Sequence, residues 1–184
     1  MELRQKIVQV NLVGSLKAMG VSFRTVATFG WEVVLEDSLK IIFQIRTGIF
    51  AVKTDTSETF EIKATSGNGV CLNNPSQECL QAVSVGPIPV GLYYLDPGEL
   101  SNPGLIGDLL RRVRGDWGDW RIPLHAGSTT KTNGRSGFFI HGGALPGSQG
   151  CIDIGGELGG NESTDNLASL IRQTTGWIKV EVIP

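Results

Sequence analysis

The sequence predicts a mainly β fold with one C-terminal helix, and it also allows an N-terminal helix. Three observations support this fold class. The 184 residues include 25 glycines and 8 prolines, which indicate many turns. Short runs of alternating apolar and polar residues recur along the chain, as expected of strands with one buried face. Apolar residues make up 40% of the composition, which is enough for a packed core.

Strands are predicted where such runs lie between turn signals. In chain order they are Trp31–Leu35, Lys40–Ile45, Gly48–Lys53, Phe60–Ala64, Val83–Val85, Leu92–Leu95, Phe138–His141 and Trp177–Ile183. The segments Ser66–Gln81 and Asp96–Asp108 are polar or rich in proline and glycine, and we expect loops there. In the last strand Ile178, Val180 and Val182 share one side, so one face of that strand should be buried.

Two segments have helical spacing. Apolar residues recur at helical intervals over residues 3–19, although Gly14 interrupts this stretch. Glu162–Thr175 predicts a helix capped by Ser163 or Thr164, with Leu167, Leu170 and Ile171 on its apolar face and Gly176 at its end. We therefore expect an N-terminal extension over residues 1–30 and one main domain over residues 31–184.

Composition excludes several classes of function. The net charge is −2 and only 18% of the residues are charged, so no basic field is available for nucleic acid or for an anionic membrane. Arg4 and Lys6 precede an apolar stretch that Asn11, Ser15 and Lys17 interrupt, which does not fit an export signal. No stretch approaches the ~20 apolar residues of a membrane helix. We expect synthesis in the cytoplasm without a recognisable signal peptide.

The three cysteines divide into a pair and a single residue. Cys71 and Cys79 lie close together in a polar segment, where they would form a disulfide in an oxidising compartment and stay as thiols in a reducing one. The sequence leaves both states open. Cys151 has no neighbour of its kind in the sequence.

The most informative stretch runs from Phe138 to Asp153. An apolar run ends at His141, a glycine-rich loop follows, and Ser148, Gly150 and Cys151 arrive in the order Ser-x-Gly-Cys. A cysteine is only a few per cent thiolate at pH 7, so a nearby histidine is needed to take its proton. We expect this chemistry here, with the amides of Gly150 and Cys151 facing a developing oxyanion.

Simpler interpretations of these residues compete with a thiol–histidine site. A single cysteine is often only a small buried hydrophobe. His125, His141, Cys151 and Asp153 could form a metal site, but their spacing fits no standard zinc pattern, and His125 alone is better explained as a rim or loop histidine. Ser148 lacks the Gly-x-Ser-x-Gly elbow of a serine nucleophile, so hydrogen bonding within its loop or to the histidine is expected.

The tryptophans of the stretch Asp116–Leu124 have two readings. Trp117 and Trp120, beside Asp116 and Asp119, could form a glycan-stacking surface. Packing of this stretch onto the sheet is the default expectation for large aromatic side chains.

His141 followed by Ser-x-Gly-Cys resembles the signature of the L,D-transpeptidase catalytic domain family, and is closest to its branch of type VI secretion effectors. Thr65-Ser66-Gly67, Gly86–Tyr93 and Gly134–Gly137 also resemble segments of that family, in the same order. The resemblance covers roughly residues 60–184. It implies a β-sandwich-like catalytic domain within residues 31–184.

The resemblance implies acyl transfer on the stem tetrapeptide of peptidoglycan. Cys151 would attack the carbonyl of the third residue and expel the terminal D-alanine, with His141 as base and then as acid. Water would complete L,D-carboxypeptidase action, and an amine would complete transpeptidation or D-amino-acid exchange. No metal or cofactor is implied. An immunity protein and a secretion apparatus are the implied partners, and the periplasm or cell wall is the implied site of action.

The site departs from the family pattern at two positions. Many members carry a histidine where this chain has Gln149, and an arginine where it has Asp153. Arg135 is then the nearest basic candidate for the substrate carboxylate, and Gly142, Gly143 and His125 complete the expected substrate-binding set. The alternative function is a non-catalytic wall-binding or structural module in which Cys151 is inert.

Overall fold

The computed structural model describes residues 21–26, 30–35, 39–54, 59–101, 120–143, 146–156 and 161–184. The chain divides into two compact units, residues 1–38 and 39–184. The helix expected over residues 3–19 lies outside the described residues. The expected boundary after residue 30 remains a prediction.

In the first unit, β1 (Val21–Val26) pairs with β2 (Gly30–Leu35) in an antiparallel ladder. The register joins Val21 to Leu35 and Val26 to Gly30. Strand β2 contains the predicted strand Trp31–Leu35, whereas β1 was not predicted.

The second unit is built on one eight-stranded sheet, which confirms the mainly β prediction. Its strands are β3 (Lys40–Gln44), β4 (Ile49–Lys53), β5 (Thr59–Lys63), β6 (Gly91–Leu95), β7 (Arg121–Ala126), β8 (Phe138–Gly143), β9 (Ile152–Gly156) and β10 (Ile178–Ile183). They lie in the order β5-β4-β3-β10-β6-β7-β8-β9. The pairs β3/β10 and β8/β9 are parallel, and the other neighbouring pairs are antiparallel.

The alternation of apolar residues explains which face of the sheet is covered. In β10, Ile178, Val180 and Val182 are buried while Lys179 and Glu181 are exposed, as predicted. The core also holds large aromatic side chains, among them Tyr93 and Trp120, which are fully buried. For Trp120 the packing interpretation is therefore confirmed. Trp117, Asp116 and Asp119 lie outside the described residues.

Two α-helices accompany the sheet in the described part of the chain, α1 (Gln77–Gln81) and α2 (Glu162–Gln173), with 3₁₀ turns at Gly69–Cys71 and Pro97–Glu99. The predicted C-terminal helix is confirmed, but its cap is Asn161. The Asn161 side chain accepts from the Thr164 amide, and the Thr164 hydroxyl accepts from the Asn161 amide. Neither helix has the length and apolarity needed to cross a membrane.

Two predictions about the middle of the chain were wrong. Val83–Val85 forms a turn rather than a strand, because Ser84 has a positive φ of 65° and Val83 is 72% exposed. Helix α1 lies in the segment where a loop was expected, since the Ser76 hydroxyl caps it by accepting from the Cys79 amide. Strand β9 was not predicted, because a run of five residues ending in two glycines gives little strand signal.

The two edges of the sheet meet. Thr65, just after edge strand β5, forms an antiparallel bridge with Asp153 of the opposite edge strand β9. The bridge has both hydrogen bonds, from each amide to the other carbonyl, at 2.7 and 2.8 Å. The sheet therefore curls until its ends join, and residues 65–68 come to lie beside the loop that precedes β9.

Candidate active site

The parallel pairing of β8 and β9 places the strand of His141 beside the segment that follows Cys151. Ile140 pairs with Ile152 and His141 with Asp153. Ile140 and Ile152 belong to the core, so their neighbours His141 and Asp153 lie on the opposite face. Cys151 lies directly before the first residue of β9. The hydrogen-bonding groups nearest to its thiol are the Gly137 carbonyl and the Phe139 amide, on the segment that carries His141.

The Cys151 thiol is enclosed by the strand that carries the histidine. Only 8% of the residue is exposed, and Sγ lies 3.9 Å from the Gly137 carbonyl oxygen. Burial raises the pKa of the thiol to about 11, although the Phe139 amide and the cations Arg121 and Arg135 act in the opposite direction. The thiol is therefore neutral at pH 7, and its use as a nucleophile requires a base.

His141 is held in one orientation by its own backbone neighbour. Its ring is buried, and Nδ1 lies 2.6 Å from the carbonyl oxygen of Gly142. Because a carbonyl only accepts, Nδ1 carries a proton, and in the neutral ring Nε2 then carries the lone pair. This is the tautomer that a general base needs.

A row of ionisable residues crosses three strands on this face. Arg121 of β7 pairs with His141 of β8, which pairs with Asp153 of β9. The Arg121 guanidinium also lies 5.2 Å from the centre of the Phe139 ring. Arg121 is thus a cation beside the thiol that the sequence analysis missed. The sequence does not show that β7 pairs with β8, and Arg121 can be recognised as part of the site only from that pairing.

Residues 65–68 hold the loop that ends at Cys151. The Thr65 hydroxyl accepts from the Gly147 amide at 3.0 Å, and the Gly67 carbonyl accepts from the Ser148 amide at 2.9 Å. The Ser66 hydroxyl donates to the Cys151 carbonyl at 2.7 Å. This segment is part of the site although it lies some eighty residues earlier in the chain.

Ser148 hydrogen-bonds within its own loop, as one of the expected alternatives had it. Its hydroxyl donates to the Cys151 carbonyl at 2.6 Å and accepts from the Gly150 amide at 3.3 Å. Gly150 has a φ of 112°, which favours glycine, and it lies against the Arg135 guanidinium. The Gly150 amide is thereby directed at Ser148, and its expected role toward an oxyanion remains a prediction.

Arg135 ties two loops together. Its guanidinium donates to the carbonyls of Pro87 at 2.7 Å and Gly86 at 2.8 Å, with longer bonds to Leu80 and Gln149. It also lies 5.6 Å from the centre of the Phe138 ring. Through these contacts Arg135 stabilises the packing of the two loops. Its expected contact with a substrate carboxylate remains a prediction.

Residues 61–175 match the model of the Tlde1 domain, and this match covers 115 of the 184 residues. The chain belongs to the Tlde1 domain family. This is an L,D-transpeptidase-like family of type VI effectors, and membership supports a peptidoglycan-modifying enzyme. A search of the curated proteins gave no significant match.

Solved structures that resemble this Tlde1 domain protein are distant in sequence. The helical cell shape determining protein Pgp2 from Campylobacter jejuni is 16% identical over 88% of this chain and 49% of that chain, with a TM-score of 0.48. L,D-transpeptidase 1 from Mycobacterium tuberculosis is 18% identical over 80% of this chain and 63% of that chain, with a TM-score of 0.39. The protein spans less than two thirds of either chain.

Three further predicted residues have defined places in the Tlde1 domain. Gly142 and Gly143 are buried in β8, where the Gly142 carbonyl orients His141. His125 lies in β7, and its Nε2 is 2.6 Å from Oε2 of Glu99. The centre of its ring lies 5.4 Å from that of Trp177, and the two rings are nearly perpendicular. Their contact with substrate remains a prediction.

Cys71 and Cys79 form a disulfide, which settles the state that the sequence left open. It joins the 3₁₀ turn Gly69–Cys71 to α1. Among the described residues, no group of three or more histidine, cysteine or acidic side chains is placed to hold a metal ion.

Proposed function

We propose that this protein is a cysteine acyl-transfer enzyme that acts on the stem tetrapeptides of peptidoglycan, as an L,D-carboxypeptidase, an L,D-transpeptidase or both. The observation that carries the proposal is the parallel pairing of β8 and β9, which sets the strand of His141 beside the segment that leads from Cys151 into β9. The Gly142 carbonyl supports it, because it leaves the basic nitrogen of His141 on Nε2.

The first half-reaction follows from the neutral thiol. His141 takes the proton from Cys151 as sulfur attacks the carbonyl of the third residue of the stem peptide. The imidazolium then donates that proton to the leaving amine, so that D-alanine departs as a neutral amine and a thioester to Cys151 remains. No charge is left on the protein at this point.

The second half-reaction regenerates the thiol. His141 takes a proton from water or from an acceptor amine, the acceptor attacks the thioester, and the proton returns to sulfur as the Cys151 thiolate leaves. Water gives the tripeptide and an amine gives a cross-link or an exchanged D-amino acid. The Cys151 amide is the proposed oxyanion donor, and Arg121 and Arg135 contribute positive potential near the sulfur.

The wider setting is also proposed. Residues 31–184 would form the catalytic domain, and the protein would work in the periplasm or cell wall of a target cell after delivery by a secretion apparatus, with an immunity protein in the producing cell. The family match supports the effector role. The disulfide between Cys71 and Cys79 fits an oxidising compartment.

The direct test incubates the protein with purified tetrapeptide muropeptides and weighs the products by mass spectrometry. We expect loss of D-alanine with the wild type and none with Cys151→Ala or His141→Ala at an unchanged melting temperature. Tetrapeptide left intact by the wild type would refute the substrate class. D-alanine release that survives Cys151→Ala would refute the mechanism.

A wall-binding module with an inert cysteine is the second candidate, and the burial of the thiol is the observation that favours it. Such a module would co-sediment with peptidoglycan sacculi while releasing no D-alanine. Sedimentation combined with product analysis therefore separates the two candidates.

A further inference from the structure

We infer that Ser66 is a positioning residue for the nucleophile, because its hydroxyl holds the backbone carbonyl of Cys151. Its significance for turnover rests on the proposed function. Ser66 does not contact the reacting atoms in this role. It acts through the peptide group that connects Cys151 to β9.

The hydrogen bonds of Ser66 leave no freedom in the direction of its proton. The residue is completely buried, its Oγ lies 2.8 Å from the Ile88 amide, and the same Oγ lies 2.7 Å from the Cys151 carbonyl oxygen. An amide only donates and a carbonyl only accepts, so the single hydroxyl proton must point at Cys151.

A second hydroxyl reaches the same carbonyl. Ser148 Oγ lies 2.6 Å from it and accepts from the Gly150 amide, so its proton also points at the Cys151 oxygen. Two donors therefore occupy both lone pairs of one carbonyl. The orientation of that peptide plane fixes ψ of Cys151 and, with it, the direction in which the side chain leaves the backbone.

Ser66 and Ser148 differ in what anchors them. Ser148 belongs to the glycine-rich loop itself, and its amide donates to the Gly67 carbonyl, next to Ser66 in the chain. Ser66 is fixed from outside that loop, because its amide donates to Oδ1 of Asn73 and its carbonyl accepts from the Asn73 amide, both at 2.8 Å. Ser66 is therefore the fixed reference against which the nucleophile is set.

The loop needs such a reference because its own backbone supplies little stiffness. Gly147 and Gly150 both have positive φ values, 107° and 112°, in a region that only glycine occupies readily. Cys151 comes directly after them and before the first residue of β9. Without the Ser66 bond, the peptide plane at Cys151 would depend on the Ser148 hydroxyl, which belongs to the loop itself.

The test compares Ser66→Ala with Thr130→Val. The Thr130 hydroxyl has the same bonding pattern, accepting from the Leu92 amide at 2.9 Å and donating to the Leu92 carbonyl at 2.6 Å, and makes no hydrogen bond to the Cys151 loop. Both variants lose one hydroxyl with two hydrogen bonds, which is buried at Ser66 and half-buried at Thr130. Both melting temperatures should fall.

For Ser66→Ala we expect kcat for D-alanine release to fall by about 10- to 100-fold with KM nearly unchanged, because the nucleophile is misdirected. Thr130→Val should keep the wild-type kcat. At the same time, iodoacetamide should label Cys151 faster in Ser66→Ala than in either other protein, because the thiol leaves its enclosed position. Lower turnover with a more reactive thiol is the signature of lost positioning.

A wild-type kcat in Ser66→Ala, or an equal loss in Thr130→Val, would overturn the inference. If the wild type releases no D-alanine, the proposed function fails, but the labelling rates still decide the case for Ser66. Equal labelling of all three proteins would then refute the positioning role on its own.

Discussion

Raising the pH above 9 should destabilise the wild-type protein more than a Cys151→Ala variant. Burial raises the pKa of the thiol in the folded state to about 11, against a value of 9.0 for an unhindered thiol. The unfolded chain therefore loses this proton first as the pH rises. The folded state binds more protons than the unfolded state between these two values, so the free energy of unfolding falls across this window.

The magnitude follows from the two pKa values. Each pKa unit corresponds to about 1.4 kcal/mol of differential interaction, so the loss attributable to Cys151 reaches about 1.4 kcal/mol at pH 10. It approaches about 3 kcal/mol above pH 11, where both states are ionised. Below pH 8 the two proteins should show no difference in slope, because the thiol is neutral in both states.

The assay is urea denaturation of both proteins at pH 8 and pH 10, read as the difference between them. Taking the difference cancels the other groups that titrate here, including Tyr93, whose pKa burial also raises. Equal losses in the two proteins would show that the thiol ionises as easily in the folded state. A wild type that gains stability relative to Cys151→Ala would show a thiolate–imidazolium pair in the resting protein and would refute the neutral-thiol mechanism.

Three further outcomes test the structure around the site. Arg135→Lys should lower the free energy of unfolding, measured by urea denaturation, by about 2 kcal/mol, because an ammonium cannot donate to the Gly86 and Pro87 carbonyls in the fork geometry of a guanidinium. A change near zero would show that these hydrogen bonds contribute nothing to stability. Gly150→Ala should lower the free energy of unfolding by about 1 to 3 kcal/mol more than Gly134→Ala does, because the added Cβ would overlap the Arg135 guanidinium, whereas a Cβ at Gly134 meets open space. Equal losses of stability would contradict this crowding. Replacing Cys71 and Cys79 together by alanine should lower the free energy of unfolding by about 2 to 3 kcal/mol, from the loop of sequence separation 8 that the disulfide closes, and an unchanged midpoint in urea would refute that contribution.

The fold was predictable where a strand buries one face and exposes the other. Strand β10 shows this, since its buried and exposed residues alternate without a break. Prediction failed where local patterns do not record the tertiary partner. Strand β9 is short and ends in glycines, and it is a strand because β8 pairs with it along one side and Thr65 closes the other.

The residues of the candidate site also divide into those that a local sequence pattern predicts and those that only tertiary pairing reveals. His141 and Cys151 are visible in the sequence because they lie ten residues apart in one motif. Arg121 was missed, since only the register of β7 with β8 brings it beside His141. Arg135 was noticed as a charge, but its use on backbone carbonyls depends on loops whose conformation no local pattern fixes.

The motif that carries the chemistry cannot form the site alone. A glycine-rich loop reaches the conformation that Cys151 requires at an entropic cost, because glycine loses more freedom on folding than any other residue. The bonds that offset this cost come from residues 65–68, which the closure of the sheet places against the loop. A chain that kept residues 138–153 but lost the pairing of Thr65 with Asp153 would have the same motif, but the position of its thiol would not be fixed. The geometry of the candidate site is therefore a property of the closed sheet, and the motif supplies only the thiol and the imidazole.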